Sequence, residues 1–545
     1  MVGIQNNLQP QSCCIVSLPF VSSLLLSYLH FAGKIVFLNK KITMLLLGID
    51  VGTSSIKVSV VDSQTQQCVG SAQFPDVESE IKSVQPGWAE QSPDMWWNHV
   101  QEAIKRAGAL NSMNIADVGA IGIAYQMHGL VVVDKKQNPL RDSIIWCDSR
   151  AVPFGEKAFH AIGEQKSLSH LLNSPGNFTA AKLAWVKENE PQVYESIDKI
   201  MLPGDYIAMK LTGEVTTSSS ALSEGVFWDF QKDGLSEDVI NYFEFDPSFI
   251  PQINPVFAEH GRLQKSVAQM LGLKEGIPVT YKAGDQPNNA LSLNVLKPGE
   301  VAATAGTSGV IYGVSDHLTY DKQSRVNTFA HVNHADNEKR LGILLCINGT
   351  GILNRWVRDN MAPGMPYFEI DKEASKIPAG SNGLKVLPFG NGAERMLNNK
   401  IVGAHFHDID LNVHTRSHIF RAAQEGIAFA FRYGLDIMRE NEMNPTVIRA
   451  GKANMFYSPV FTEAFVNATG VPVELYASDG SVGAAIGAGI GAKAFANEQD
   501  AFSKMKPLQL IEPNNQEIYN TLYHEWTKIL EPRLEGLKGL GGNSP

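Results

Sequence analysis

Two short stretches share one plan: an apolar run, a Gly-Thr-Ser turn and a second apolar run. The first spans Leu45 to Val61 with Gly52, Thr53 and Ser54 at its turn, and the second spans Val301 to Tyr312 with Gly306, Thr307 and Ser308. Each reads as a tight β-hairpin, because glycine permits the left-handed backbone and close approach that such a turn needs. Both turns offer backbone N–H groups and hydroxyls, the chemistry of an anion-binding loop. Two such turns half a chain apart suit one polyphosphate gripped from both sides, with Asp50 placed to hold its metal ion. The chain is thus expected to be two related lobes around a nucleotide.

Its length agrees. At 545 residues it exceeds the ~250–300 residues at which single cores stop growing. Hydrophobic residues make up 44% and charged residues 19%, ordinary for a globular protein. The net charge of −10, with no basic cluster, argues against a nucleic-acid partner. The five cysteines (Cys13, Cys14, Cys68, Cys147 and Cys346) form no CxxC and no disulfide framework, so a reducing, cytoplasmic setting is expected.

Residues 1–43 differ from the rest. The stretch from Ile15 to Gly33 is apolar and serine-rich, and the first charges (Lys34, Lys40, Lys41) follow it, which is the wrong order for a signal peptide. It contains His30 and several serines, so it makes a poor membrane span and no membrane partner is expected. Residues 1–43 are read as an upstream extension outside the fold, with Met44 as the functional start.

Ser92-Pro93-Asp94 reads as a helix N-cap, with Trp96, Val100, Ala103, Ile104 and Ala107 recurring on one face. Val118 to Ala124 reads as a strand ending at Gln126, Met127 and His128, and Ser143 to Cys147 as one running into Asp148. Ile277 to Tyr281 feeds Gly284, Asp285 and Gln286 and a short helix. Polar residues thus gather where apolar strands stop, which is where ligands bind in α/β sheets. Further on come a glycine-rich loop at Gly390 to Arg395, a helix over Phe420 to Met438, and a Gly- and Ala-rich segment from Gly480 to Gly489. That last segment allows close approach of either an adenine ring or a packed helix.

Six motifs occur in order: Gly48–Ser54, Trp88–Trp97, Gln126–Gly129, Trp146–Arg150, Gly284–Gln286 and Ala305–Gly309. Together they resemble the FGGY carbohydrate kinases, and among these the xylulokinases, from about Met44 to about residue 530. The resemblance implies an α/β fold of two ribonuclease-H-like lobes of the actin and hexokinase superfamily, with the active-site cleft between them. Residues 44–290 would form the sugar-binding lobe with the catalytic base, 291–535 the nucleotide-binding lobe, and 536–545 a tail. It further implies phosphorylation of D-xylulose by ATP with Mg2+.

On this reading Asp285 is the general base, ionised at neutral pH through the helix N-terminus it begins. Taken alone, Asp285 is equally a plain helix cap. Asp50 is the Mg2+ residue. Thr53 and Ser54 meet the terminal phosphates from one lobe, and Gly306, Thr307 and Ser308 from the other. Gln126, Met127, His128, Asp148, Asp285 and Gln286 are expected at the sugar. Asp148 with Arg150 is alternatively a local salt bridge, and Trp146 either lines the site or packs in the core. Gly451, Lys452 and Asn454 lie where the family binds adenosine. The run from Arg449 to Asn454 departs from the family's glycine run in being bulkier, and Gln286 stands where xylulokinases usually carry Asn. Those departures keep open a kinase for another ketose or polyol, and a catalytically silent nucleotide-binding sensor. The commonest symmetric assembly is a homodimer, which also stays open.

Overall fold

The computed structural model describes residues 44–110, 113–335 and 337–537. The extension read over residues 1–43 lies outside the described residues, as does the tail read over 536–545 except for residues 536 and 537, the first of which ends helix Gln516–Gly536.

The duplicated hairpins seed two sheets of one design. In the first, Leu45–Val51 pairs antiparallel with Ile56–Asp62 and parallel with Val118–Tyr125. Cys68–Phe74 flanks the hairpin antiparallel, and Val279–Gly284 lies parallel outside Val118–Tyr125. In the second sheet Glu300–Ala305 pairs antiparallel with Gly309–Ser315 and parallel with Val447–Gly451. Leu341–Ile347 and Val473–Tyr476 take the flanking places, and the edge strands Asn327–Ala330 and Gln509–Ile511 widen the sheet to seven. This is the two-lobed actin- and hexokinase-like α/β fold.

The first crossover helix forms where its caps predict. Ser92 accepts from the Met95 N–H, Pro93 opens Pro93–Gly108, and Trp96, Val100, Ala103 and Ile104 are buried against the first sheet. The long helix Arg416–Glu440 does the same for the second core with Phe420, Ile427 and Phe431. One more cluster joins the lobes: the edge strand Asn327–Ala330 packs on helix Ser219–Glu224, with the Ala330 N–H donating to Ser223 (2.9 Å) and Ser220 Oγ to the Ala330 carbonyl (2.8 Å).

The small-residue segment resolves in favour of packing. Helix Gly480–Gly491 follows a strand of the second sheet yet lies on the first sheet, with Ala484, Ala485 and Ala488 against Leu46, Ala120 and Ala124. A Cβ at Gly48 would strike the Ser481 carbonyl, and one at Gly122 the Ala484 carbonyl. Helix Asp285–Ser292 lies alongside, Asn288 donating to the Gly480 carbonyl (2.9 Å) and Ser292 Oγ pairing with Ser478 Oγ (2.8 Å). A division of the chain near residue 290 therefore separates the sheets but not these two helices, which couple them.

Because the obstacle at Gly122 is backbone, it cannot rotate away. Gly122→Ala is expected to cost about 3 kcal/mol or more, the upper range for overpacking. Urea unfolding checks this, and a variant within ~0.5 kcal/mol of the parent would contradict the packing, since that is the range of unconstrained surface changes.

Candidate active site

Three parallel strands end together. Leu45–Val51, Val118–Tyr125 and Val279–Gly284 are neighbours in register, with Asp50 opposite Ala124 and Gly284 opposite Tyr125. Strand spacing of about 4.8 Å puts the two outer backbones roughly 10 Å apart. Asp50 lies near the end of one, Asp285 follows the other, and the turn Gln126–Gly129 follows the strand between them. Lys282 anchors the Asp285 strand from inside, donating to Asp205 (2.5 Å) and to the Thr216 carbonyl (2.6 Å).

Both acids are perturbed upward. Burial, then the like charge of Asp50, pushes Asp285 from the ordinary 3.8 to about 7. Burial, then Asp479, pushes Asp50 to about 6, with Lys57 opposing. The expectation that a helix N-terminus would hold Asp285 low is thus corrected. The helix-end N–H groups of Asp285 and Gln286 do lower it, but burial and Asp50 outweigh them.

Met127 packs on Gly284, where a Cβ would approach Met127 Cγ to 2.6 Å and Glu224 Oε2 to 3.2 Å. His128 takes a left-handed backbone, φ 62°, and its ring meets Phe178 edge-on at 4.8 Å and Phe329 of the other lobe at 5.3 Å. Burial, then Lys182, holds the imidazole down at about 3, so it is neutral. Gln286 Oε1 is buried and has no hydrogen-bond partner among the described residues.

Two residues expected at the sugar are otherwise engaged. Gln126 is 2% exposed; it accepts from Thr53 Oγ1 (3.1 Å) and donates to Gln91 (3.1 Å), tying the first turn to the strand end. Asp148 is fully buried, accepting from the Ala89 N–H (2.6 Å) and from Arg150 through Nε and Nη2 (2.7 to 3.0 Å). Its carboxylate is saturated by the local salt bridge, with Arg150 stacked 3.7 Å over Trp88. Trp146 is 52% exposed and donates to Thr53 Oγ1 (3.0 Å), so it lines the opening and is not core. The Thr53 hydroxyl, expected at phosphates, is therefore spent on Gln126 and Trp146, while Ser54 stays exposed.

In the second lobe Thr307 and Ser308 are exposed at their turn. Gly306 and Thr307 border a cavity of about 340 Å3, completed by Ile352, Arg355, Asn454 and Tyr457. The turn is buttressed: the Gly351 N–H donates to Gly306 O and the Ile352 N–H to Thr307 O, both at 3.0 Å. Glu394 accepts from the Asn348 and Gly349 N–H groups (3.0 and 2.9 Å) and so fixes the adjoining loop. Of the expected adenosine set, Asn454 lines this cavity; Gly451 ends its strand facing Ser478, and Lys452 points to solvent with its N–H on Tyr476 O (2.7 Å). Arg449 turns away to Glu474 (2.8 Å) and Glu300 (3.1 Å), so its bulk does not enter the cavity.

Sequence reading missed Glu224, Lys182, Asp479, Phe178 and Phe329, which come from separate segments with no local motif. Asp479 had one signal, an Asp two residues before a serine, and it caps helix Gly480–Gly491 through Ser481 N–H (2.9 Å), 3.6 Å from Lys57. Asp50 Oδ2 lies against Gly480, where a Cβ would collide with it. The Asp50 carboxylate accepts no hydrogen bond among the described residues, and a carboxylate with Asp479 as a charged neighbour suits a hard divalent cation.

The raised acids carry a stability consequence. The folded state holds protons that the unfolded chain releases from pH 4 upward, so these groups destabilise the fold as pH rises through about 4 to 7. In metal-free buffer Asp285→Asn and Asp50→Asn should each melt higher than the parent at pH 8, by a margin that shrinks toward pH 5. Equal melting of parent and variants at pH 8 would contradict the shifts.

The N-terminal domain of the FGGY family of carbohydrate kinases matches residues 45–292, and its C-terminal domain matches residues 301–492. The chain is 28% identical over 408 residues to the xylulose kinase of Bacillus subtilis (strain 168), covering 72% of this chain and 77% of that one. It is 26% identical over 464 residues to the xylulose kinase of Escherichia coli (strain K12), covering 85% and 92%. The crystal structure of xylulose kinase from Rhodospirillum rubrum superposes with a TM-score of 0.81 at 26% identity, over 90% of this chain and all of that one. The chain belongs to the FGGY family of carbohydrate kinases.

Proposed function

We propose that this protein transfers the γ-phosphoryl group of ATP to the 5-hydroxyl of D-xylulose, releasing ADP and D-xylulose 5-phosphate. The observation that carries the reading is Asp285, a buried carboxyl raised to about 7 that follows the strand paired with the one leading into the Gln126–Gly129 turn. The names of the relatives support xylulose as the acceptor.

Asp285 takes the proton from the sugar hydroxyl as that oxygen bonds to phosphorus and the bridging oxygen leaves with ADP. Its raised pKa makes it a stronger base than an ordinary aspartate, provided it is ionised. The unpaired Gln286 Oε1 and the free Nε2 of neutral His128 accept from sugar hydroxyls, and Met127 supplies the apolar wall. The exposed turns, through Ser54, the Thr53 backbone, Gly306, Thr307 and Ser308, hold the phosphates, and the cavity beside Asn454 and Tyr457 takes the nucleoside. Asp50, with Asp479 beside it, would hold Mg2+, which neutralises charge on the transferring phosphates.

A second reading, phosphorylation of another ketose or a polyol, is favoured by one feature, glutamine rather than asparagine at residue 286. The free thiols Cys68, Cys147 and Cys346 fit a reducing, cytoplasmic setting, and no described helix is long and apolar enough to cross a membrane.

The test is ADP release with MgATP across D-xylulose, other ketoses, polyols and glycerol. The reading expects a rate dependent on D-xylulose that falls by about 10^3-fold or more in Asp285→Ala, within the range for loss of a catalytic base. A strong rate on another sugar alone would move the assignment to the second reading. An Asp285→Ala variant with near-parental turnover would remove Asp285 as the base.

A further inference from the structure

We propose that Glu224 and Lys182 form a clamp that fixes His128, so that its Nε2 meets the substrate as a hydrogen-bond acceptor of set direction. The role rests on the sugar-kinase reading, and neither residue belongs to any of the six family motifs.

His128 stands in the left-handed region at φ 62°, a conformation that costs a non-glycine residue of order 1 kcal/mol. Such strain persists where the surroundings over-determine it, and here every other polar atom of the residue is held. Its N–H donates to Glu224 Oε2 (3.3 Å) and its Nδ1 pairs with the Glu224 carbonyl (3.0 Å). Its own carbonyl accepts from Lys182 Nζ (2.7 Å). A carbonyl only accepts, so Nδ1 carries the proton, and a neutral ring then leaves a lone pair on Nε2. Burial and the Lys182 charge keep the ring neutral. Phe178 and Phe329 fix the ring plane from two sides, one from each lobe.

The clamp is itself rigid. Glu224 is 2% exposed, ends helix Ser219–Glu224, and accepts from Tyr125 OH (2.7 Å), whose strand leads into the turn. Lys182 is fully buried on helix Thr179–Asn189. Burial pushes Glu224 well above the usual carboxylate range, and its part in the clamp is to accept from the His128 N–H through Oε2. That is why an amide should replace it where an alkyl group cannot.

Histidine-selective 15N NMR of the intact protein, assigned with His128→Gln, should show the Nδ1–H tautomer; the Nε2–H tautomer would overturn the clamp. This reading is independent of which sugar, if any, is phosphorylated. In kinetics, Glu224→Leu should raise the KM for the sugar about tenfold, the effect of one buried hydrogen-bonding unit, with KM for ATP unchanged and kcat lowered less than about threefold. Glu224→Gln should stay within about threefold of the parent. A Glu224→Leu variant with parental sugar KM, or one in which the ATP KM rises equally, would overturn the proposal.

Discussion

Burial of two carboxylates at one end of a sheet organises this candidate site. Asp50 and Asp285 stand two strands apart at one end of a sheet, where burial raises the proton affinity of both and the Asp50 charge raises that of Asp285 further. Like charges in a partly desolvated site persist only where the scaffold holds them or a counter-charge joins them. The scaffold here is rigid: three parallel strands in register, Lys282 pinned to Asp205 behind Asp285, and a helix start at Gly480 that lies against Asp50 Oδ2. The counter-charge available from the protein is Lys57, half-exposed and 3.6 Å from Asp479. A cation held at Asp50 would lower the pKa of both acids.

The duplication explains why one lobe carries the acids. Aligning the two Gly-Thr-Ser turns puts Thr304 where the first lobe has Asp50, so the second hairpin keeps the Gly-Thr-Ser turn without the acid. The lobes thereby differ in what they contribute. The first holds Asp50, Asp285 and the Gln126–Gly129 turn, and the second presents an open turn beside a cavity. They are not independent. Helix Gly480–Gly491 lies on the first sheet, and edge strand Asn327–Ala330 brings Phe329 to His128.

The hairpins, the capped helix at Pro93, and the strand ends at residues 126 and 285 were legible because each has a local signature of periodicity, glycine or cap. Asp50 and Asp285 were legible for the same reason. Their protonation was not, since it depends on burial and on a neighbour more than 200 residues away. Gln126 and Asp148 show the other limit: a polar residue at a strand end points to a ligand only if no partner reaches it first, and Gln91 and Arg150 do. Glu224, Lys182 and Phe329 enter the site from three further segments, and nothing local in sequence marks them. The Gly480–Gly489 segment was open between ligand and helix, and the close approach of the Gly48 and Gly122 strands decided for the helix.

The central claim concerns the charge state of the Asp50–Asp285 pair, and carboxyl 13C NMR titration of aspartate-labelled, metal-free protein measures it directly. With resonances assigned by Asp50→Asn and Asp285→Asn, the account predicts two aspartates titrating at about 6 and about 7. The Asp285 midpoint should fall in Asp50→Asn, because the like charge is gone, whereas Asp50, which titrates first while Asp285 is still protonated, should keep its midpoint in Asp285→Asn. Two carboxyls titrating near the ordinary aspartate value of about 4, indifferent to each other's removal, would contradict it.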